Sequence, residues 1–180
     1  MVLFSLIISF SSIWEVFLPC LPEECAKRGQ VPVVRMLFGI GNPILGDDGV
    51  GNYIADRFRA PGWIAVDCGT IPENFTGVVR REQPEILILV DAADMALSPG
   101  EFRIVQPEDI AAVTFGTHSL PLNLLMEYLA GSTGKVIFIG IQPGRTVMGE
   151  ELSDSVREGA DRLIMILISG GVDTITVHSP

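Results

Sequence analysis

Histidine, cysteine and basic side chains are all in short supply in this chain, and each shortage excludes a class of chemistry. The two histidines form no H-E-x-x-H pair, so a zincin-type centre is ruled out. No G-x-S-x-G occurs, which removes the nucleophile elbow of the α/β-hydrolases. No Gly-Lys is followed by Ser or Thr, so there is no P-loop for a nucleotide triphosphate. Three cysteines, Cys20, Cys25 and Cys68, have neither metal-finger spacing nor an even count for a disulfide set, which points to a reducing compartment and a cytoplasmic protein. Twelve Lys plus Arg against 22 Asp plus Glu give a formal charge of −10. A surface this acidic carries no footprint for nucleic acid or an anionic membrane.

What the chain has in quantity is apolar residues, 48% of 180, with 19% charged, the balance of one compact globular domain. The first 32 residues stand apart. "MVLFSLIISFSSIWEVFLP" is apolar, yet no Lys or Arg precedes it, Glu15 interrupts it, and no small-x-small cleavage site follows. A secretory signal wants those flanks and a spanning helix wants a longer run. Three alternatives stay open: a loose membrane anchor, an extra packing element, or a start assigned too far upstream, the last being preferred. The expected organisation is an apolar extension over 1–32, a domain over 33–171 and a polar tail over 172–180.

From Val33 onward, short apolar runs alternate with helical patterns. "VVRMLFGI", "WIAVD", "EILILVD" and "KVIFIGIQP" predict buried strands, and "GEFRIVQ" predicts a short edge strand at Phe102 to Val105. Val50, Ile54 and Phe58 recur at four-residue spacing, one face of a helix. "PENFTGVVRREQ" predicts a weak helix and "PEDIAAV" a helical turn. "PLNLLMEYLAG" places Pro121 at a first helical position and Gly131 past the end. A last helix runs from an N-cap at Ser153, along a stripe of Val156, Ala160, Leu163 and Leu167, to a stop at Gly170. This alternation predicts an α/β fold, a three-layer αβα sandwich around a mainly parallel sheet. Ligands of such sheets bind beyond the carboxyl ends of the strands.

The aspartates fall at those ends. Asp47 and Asp48 follow the first strand in "GIGNPILGDDGVG", Asp67 ends the second, and Asp91 ends the third. Asp47 is also expected to cap the helix that starts near Gly49. Because Ile44 stands where a third glycine belongs, and two carboxylates would repel a pyrophosphate, a dinucleotide site ranks well behind. Clustered acids are costly unless a cation offsets their repulsion. His118 lies in a loop before a helix, where binding residues concentrate, while His178 sits in the polar tail. Carboxylates plus one imidazole suit nickel, cobalt, manganese, iron or zinc, and ligand type alone does not choose among them. Cys68 lacks a positive neighbour to form a thiolate, so a packing role is expected.

Read together, "GIGNPILGDDGVG", "VDCGTIPEN", "LILVDAADMALSPGEFRIVQPEDIA", "THSLPLNLLMEYL" and "VIFIGIQP" resemble the hydrogenase maturation endopeptidases, from about Val33 to Ser169. The type resembled processes the large subunit of formate-hydrogenlyase-like, energy-converting [NiFe] hydrogenases. The resemblance implies an αβα sandwich and one peptide cleavage that removes the substrate's C-terminal extension after nickel insertion. Residue by residue, it implies nickel recognition by Asp48, Asp91 and His118, a catalytic or supporting role for Asp67, and substrate contact for Glu73 and Asn74. The nickel would be the substrate's own ion, the partner a precursor large subunit, and the enzyme a monomer. Membrane contact is expected only if residues 1–32 are a genuine tether, and that apolar extension departs from the family pattern. A nickel-binding chaperone that holds the precursor without cutting it would use the same residues. A dinucleotide-dependent oxidoreductase would not need His118.

Overall fold

A computed structural model describes residues 33–114 and 120–179. His118, Cys20, Cys25 and the expected 1–32 extension lie outside the described residues. Five strands form one sheet: β1 (Arg35–Gly39), β2 (Trp63–Asp67), β3 (Ile86–Ala92), β4 (Phe102–Val105) and β5 (Lys135–Ile141). Their order across the sheet is β2-β1-β3-β5-β4, all parallel except β4, which runs antiparallel to β5 at one edge. Five α-helices accompany them: α1 (Val50–Arg57), α2 (Thr76–Glu82), α3 (Ile110–Val113), α4 (Leu122–Ala130) and α5 (Asp154–Ile168).

The period of two along each strand divides the core in half. Leu37, Ile88, Val90, Ile137 and Ile139 pack against α1 and α5, where Val50, Ile54 and Phe58 meet Val156, Ala160, Leu163 and Leu167. Met36, Phe38, Leu87, Leu89 and Phe138 face the other way, toward Val79 of α2, Ile110 and Val113 of α3, and Leu122, Leu125 and Leu129 of α4. A strand buried on both faces has no need of polar alternation, which is why β3 reads as one continuous apolar run. The three-layer αβα architecture follows directly from that division.

Two sequence expectations need correction. Pro121 precedes α4 in an extended conformation, at the N-cap rather than in the first turn. Asp47 does not cap α1; its carboxylate turns to another loop. By contrast, α5 ends as expected. Gly170 takes φ +78, and Gly171 N–H donates to the Ile166 carbonyl at 2.9 Å, closing the last turn in the left-handed way that glycine allows.

The segment after α5, expected as a polar tail, is docked. Val172 and Ile175 are buried, and Ile104 of β4 donates its N–H to the Thr176 carbonyl and accepts from His178 N–H. This short parallel pairing covers the outer edge of β4, an edge that would otherwise offer unpaired backbone to other chains. The His178 backbone therefore takes part in the fold. Among the described residues no helix is long and apolar enough to cross a membrane.

Candidate active site at the carboxyl ends of the strands

In this strand order β1 is flanked by β2 on one side and β3 on the other, so the chain reverses its direction of winding between β1 and β3. A crevice opens at such a switch point, beyond the carboxyl ends. The loop leaving β1 rises there. Gly41, at φ +144, lies so close to the Asp48 carbonyl oxygen that any Cβ would overlap it. Gly51 sits equally close to the Ile40 backbone, which lets α1 approach the strand. Between them a 3₁₀ turn, Gly46–Gly49, carries both aspartates and packs against β3.

The two aspartates have different surroundings. Asp47 is fully buried and serves as a knot between loops. One of its oxygens accepts from Ser153 N–H at 2.6 Å. The other accepts from Gly144 N–H and Arg145 N–H, each at 2.8 Å, and from the Ser153 hydroxyl at 2.9 Å. Its carboxylate thus stands at the start of α5, where negative charge is favoured. Ser153 occupies the N-cap position, but its hydroxyl serves Asp47 rather than the helix backbone. Asp48 is 6% exposed and accepts from Asn42 N–H at 3.2 Å.

Asp91, the sixth residue of β3, is 2% exposed and accepts from Ala92 N–H at 2.8 Å. Strand β3 lies next to β1, with Val90 opposite Gly39, so Asp91 stands one step past the last paired residue of β1. Asp67 ends β2 on the other side of β1. It is exposed, and one of its oxygens accepts from the buried Asn52 Nδ2 at 2.6 Å and from Gly69 N–H at 2.9 Å. Its second oxygen has no hydrogen bond among the described residues.

Of the four acids, then, Asp48, Asp67 and Asp91 line the ends of three adjacent strands and Asp47 is tied away. Among the described residues no group of three His, Cys, Asp or Glu side chains could hold a metal ion. Asp48 and Asp91 supply two oxygen donors, and His118 falls outside the description. Cys68 is buried beneath the rim, and burial first, then the Asp67 charge, pushes its thiol far above the ordinary range. That is the packing role expected of it, since a buried neutral thiol is no nucleophile. Glu73 follows in the 3₁₀ turn Pro72–Phe75, half-buried, with its Oε2 enclosed and lacking a hydrogen-bond partner among the described residues; Asn74 beside it is exposed.

Gln142 is the feature that sequence reasoning passed over. It lies in the stretch "VIFIGIQP", whose local pattern shows a strand end and no task for the glutamine. Its buried side chain accepts from Met95 N–H at 2.7 Å and Leu97 N–H at 3.2 Å, and donates to the Asp94 carboxylate at 3.2 Å. It thereby fixes the loop leaving β3, including Ala96, which is held at φ +55, a left-handed conformation uncommon for any residue but glycine. A glutamine just past a buried strand, followed by proline, was the available signal.

With this geometry in view, the comparisons are decisive. The family model described as HycI, hydrogenase maturation protease, matches residues 49–170. The chain belongs to the hydrogenase maturation protease family. It is therefore a protease. The Hydrogenase 3 maturation protease of Escherichia coli K12 is 44% identical over 112 residues, covering 60% of this chain and 72% of the relative. The solution structure of an endopeptidase HycI from Escherichia coli superposes with a TM-score of 0.75 at 33% identity, covering 82% of this chain and 97% of that one. The crystal structure of a [NiFe] hydrogenase maturation protease HycI from Thermococcus kodakarensis gives 0.67 at 32% identity, covering 77% and 92%.

Proposed function

We propose that this protease removes the C-terminal extension from the large-subunit precursor of a [NiFe] hydrogenase, of the formate-hydrogenlyase or energy-converting type, once nickel is in place. One observation carries the reading: the buried carboxylates Asp48 and Asp91 stand at the ends of adjacent strands β1 and β3, at the switch point of a sheet shared with maturation proteases. Together with His118 they form a donor set of two carboxylates and an imidazole, suited to a borderline divalent ion. The ion belongs to the substrate, so these residues test for its presence and set the scissile bond beside it. Nickel there polarises a carbonyl oxygen or lowers the pKa of a water. Asp67, an exposed carboxylate held by Asn52 and the Gly69 backbone, has the catalytic or supporting role in this reading, while Glu73 and Asn74 contact the precursor. The enzyme works as a monomer through the domain that begins at Val33, with the docked tail after α5 as part of it.

The test is an intact-mass measurement on the precursor incubated with the protease, with and without bound nickel. Loss of a C-terminal peptide from the nickel-loaded precursor alone is expected, and Asp48→Asn is expected to abolish it. Binding with no change of mass would instead identify a nickel-dependent chaperone. Cleavage regardless of nickel would remove the checkpoint role from Asp48, Asp91 and His118.

A further inference from the structure

Three large apolar side chains stand exposed on two loops at the carboxyl end of the sheet, those that follow β1 and β5. Met148 is 75% exposed, Ile44 60% and Val147 49%. Ile44 belongs to the loop that carries Asp48, and Val147 and Met148 belong to the loop after β5. The two loops are one unit: Gly149 N–H donates to the Ile44 carbonyl at 2.8 Å, Asp47 N–H donates to the Arg145 carbonyl at 2.9 Å, and the Asp47 carboxylate accepts from Gly144 N–H and Arg145 N–H. Gly46 lies against the Arg145 carbonyl and the Val147 backbone. Exposed apolar side chains on floppy loops would fold inward, but here the backbone holds them out to solvent. A preformed apolar patch beside a functional cleft marks a contact surface for another macromolecule.

The charges around the patch indicate what kind. Glu150 and Glu151 follow Met148 after the single residue Gly149, and Arg145 is already engaged by Glu150 at 3.3 Å. Beside the patch lies a polar recess of about 190 Å³, lined by Asp94, Gln142, Gly144, Arg145 and Thr146 among others. The whole chain carries a charge of −10. An apolar patch with an acidic rim complements an apolar segment flanked by basic side chains.

We infer that Ile44, Val147 and Met148 form a docking shelf for an apolar segment of the precursor protein with basic residues alongside it, and that this shelf, continuous with the Asp48 loop, sets which precursor the protease accepts. The inference rests on the proposed reading of the site only in naming the precursor as occupant. Side chains so exposed contribute little to folding, so their replacement leaves the fold intact while removing affinity.

The experiment uses the full chain and the nickel-loaded precursor, and measures binding separately from cutting. Ile44→Ser combined with Met148→Ser is expected to raise the Kd and KM for precursor at least about tenfold, the scale of an interface anchor lost, while kcat at saturation and the melting temperature stay at wild-type values. Glu151→Lys is expected to raise KM at low ionic strength and to lose that effect as salt screens it. Wild-type Kd and KM in the double variant would overturn the shelf. So would a wild-type protein that self-associates through this patch, shown by a monomeric variant in sedimentation with unchanged Kd for precursor. If the wild type binds the precursor without cutting it, the proposed activity fails, and the Kd comparison still decides the shelf.

Discussion

Adjacent aspartates invite the assumption of a shared role, and the structure predicts opposite phenotypes for them. Asp47→Ala removes the acceptor for Ser153 N–H, the Ser153 hydroxyl, Gly144 N–H and Arg145 N–H. Gly144 and Arg145 are exposed, so water replaces their bonds, whereas the half-buried Ser153 pair loses charge-assisted bonds within a packed junction. Hydrogen bonds to a charged group contribute about 1.5–3 kcal/mol each. After water substitution the loss comes to about 3 kcal/mol, a substantial share of the stability of a domain this size. In a chain of this length that corresponds to a fall in melting temperature of roughly 6–12 °C. Asp47→Asn is expected to rescue only part of the loss, because its amide nitrogen would face N–H groups that need an acceptor. Asp48→Asn keeps an oxygen for Asn42 N–H, so its effect should fall on precursor processing rather than on melting. Thermal and urea denaturation of the three variants, beside the cleavage assay, reads both quantities. An Asp47→Ala protein melting within about 2 °C of wild type would refute the reasoning, because the loop junction would then not depend on this carboxylate.

Three further outcomes follow from contacts described above. Gln142→Leu should strand the buried Met95 N–H, cost about 1–3 kcal/mol, and speed hydrogen exchange at the Met95 and Leu97 amides; unchanged exchange there would show that the loop after β3 holds itself. Cys68 should resist iodoacetamide at neutral pH, since its raised pKa keeps the thiol protonated until well into alkaline pH, and should react at once in denaturant. Alkylation of the Cys68 peptide in the native protein would contradict its burial. Deleting residues 172–180 should uncover the β4 edge and the space filled by Val172 and Ile175, lower the melting temperature and produce aggregation visible by light scattering; a shortened chain that melts and scatters like the full one would dismiss the tail as a cover.

Most of the fold was legible because its strands announce themselves. Ile86–Ala92 is apolar at nearly every position, as only a doubly covered strand can be, and α5 shows both its stripe and its glycine stop. Asp67 and Asp91 could be located by the same logic, since the end of a predicted strand locates its last side chains, whereas Asp48 stands beyond β1 in the turn Gly46–Gly49. Contacts that depend on loops meeting in space were not legible. Asp47 bonds to residues about a hundred positions away, and no local pattern separates it from Asp48. The tail reads as polar because its aliphatic residues are few, Val172, Ile175 and Val177 among polar neighbours. Pairing with an edge strand uses backbone groups, which composition does not reveal.

The Asp47 knot has a consequence for how such proteases can diverge. On the loop after β5 its carboxylate grips main-chain N–H groups of Gly144 and Arg145, and the second of these is one that any residue but proline supplies. The loop's course is therefore indifferent to the side chains displayed at 145–148. Mutation can rewrite that display, and on the proposed docking shelf the choice of client with it, while the carboxylates of the candidate site stay untouched. If the shelf selects the precursor, two copies of one gene could come to serve different hydrogenases by changing a handful of exposed codons, with the Asp47 knot and the site carboxylates left in place.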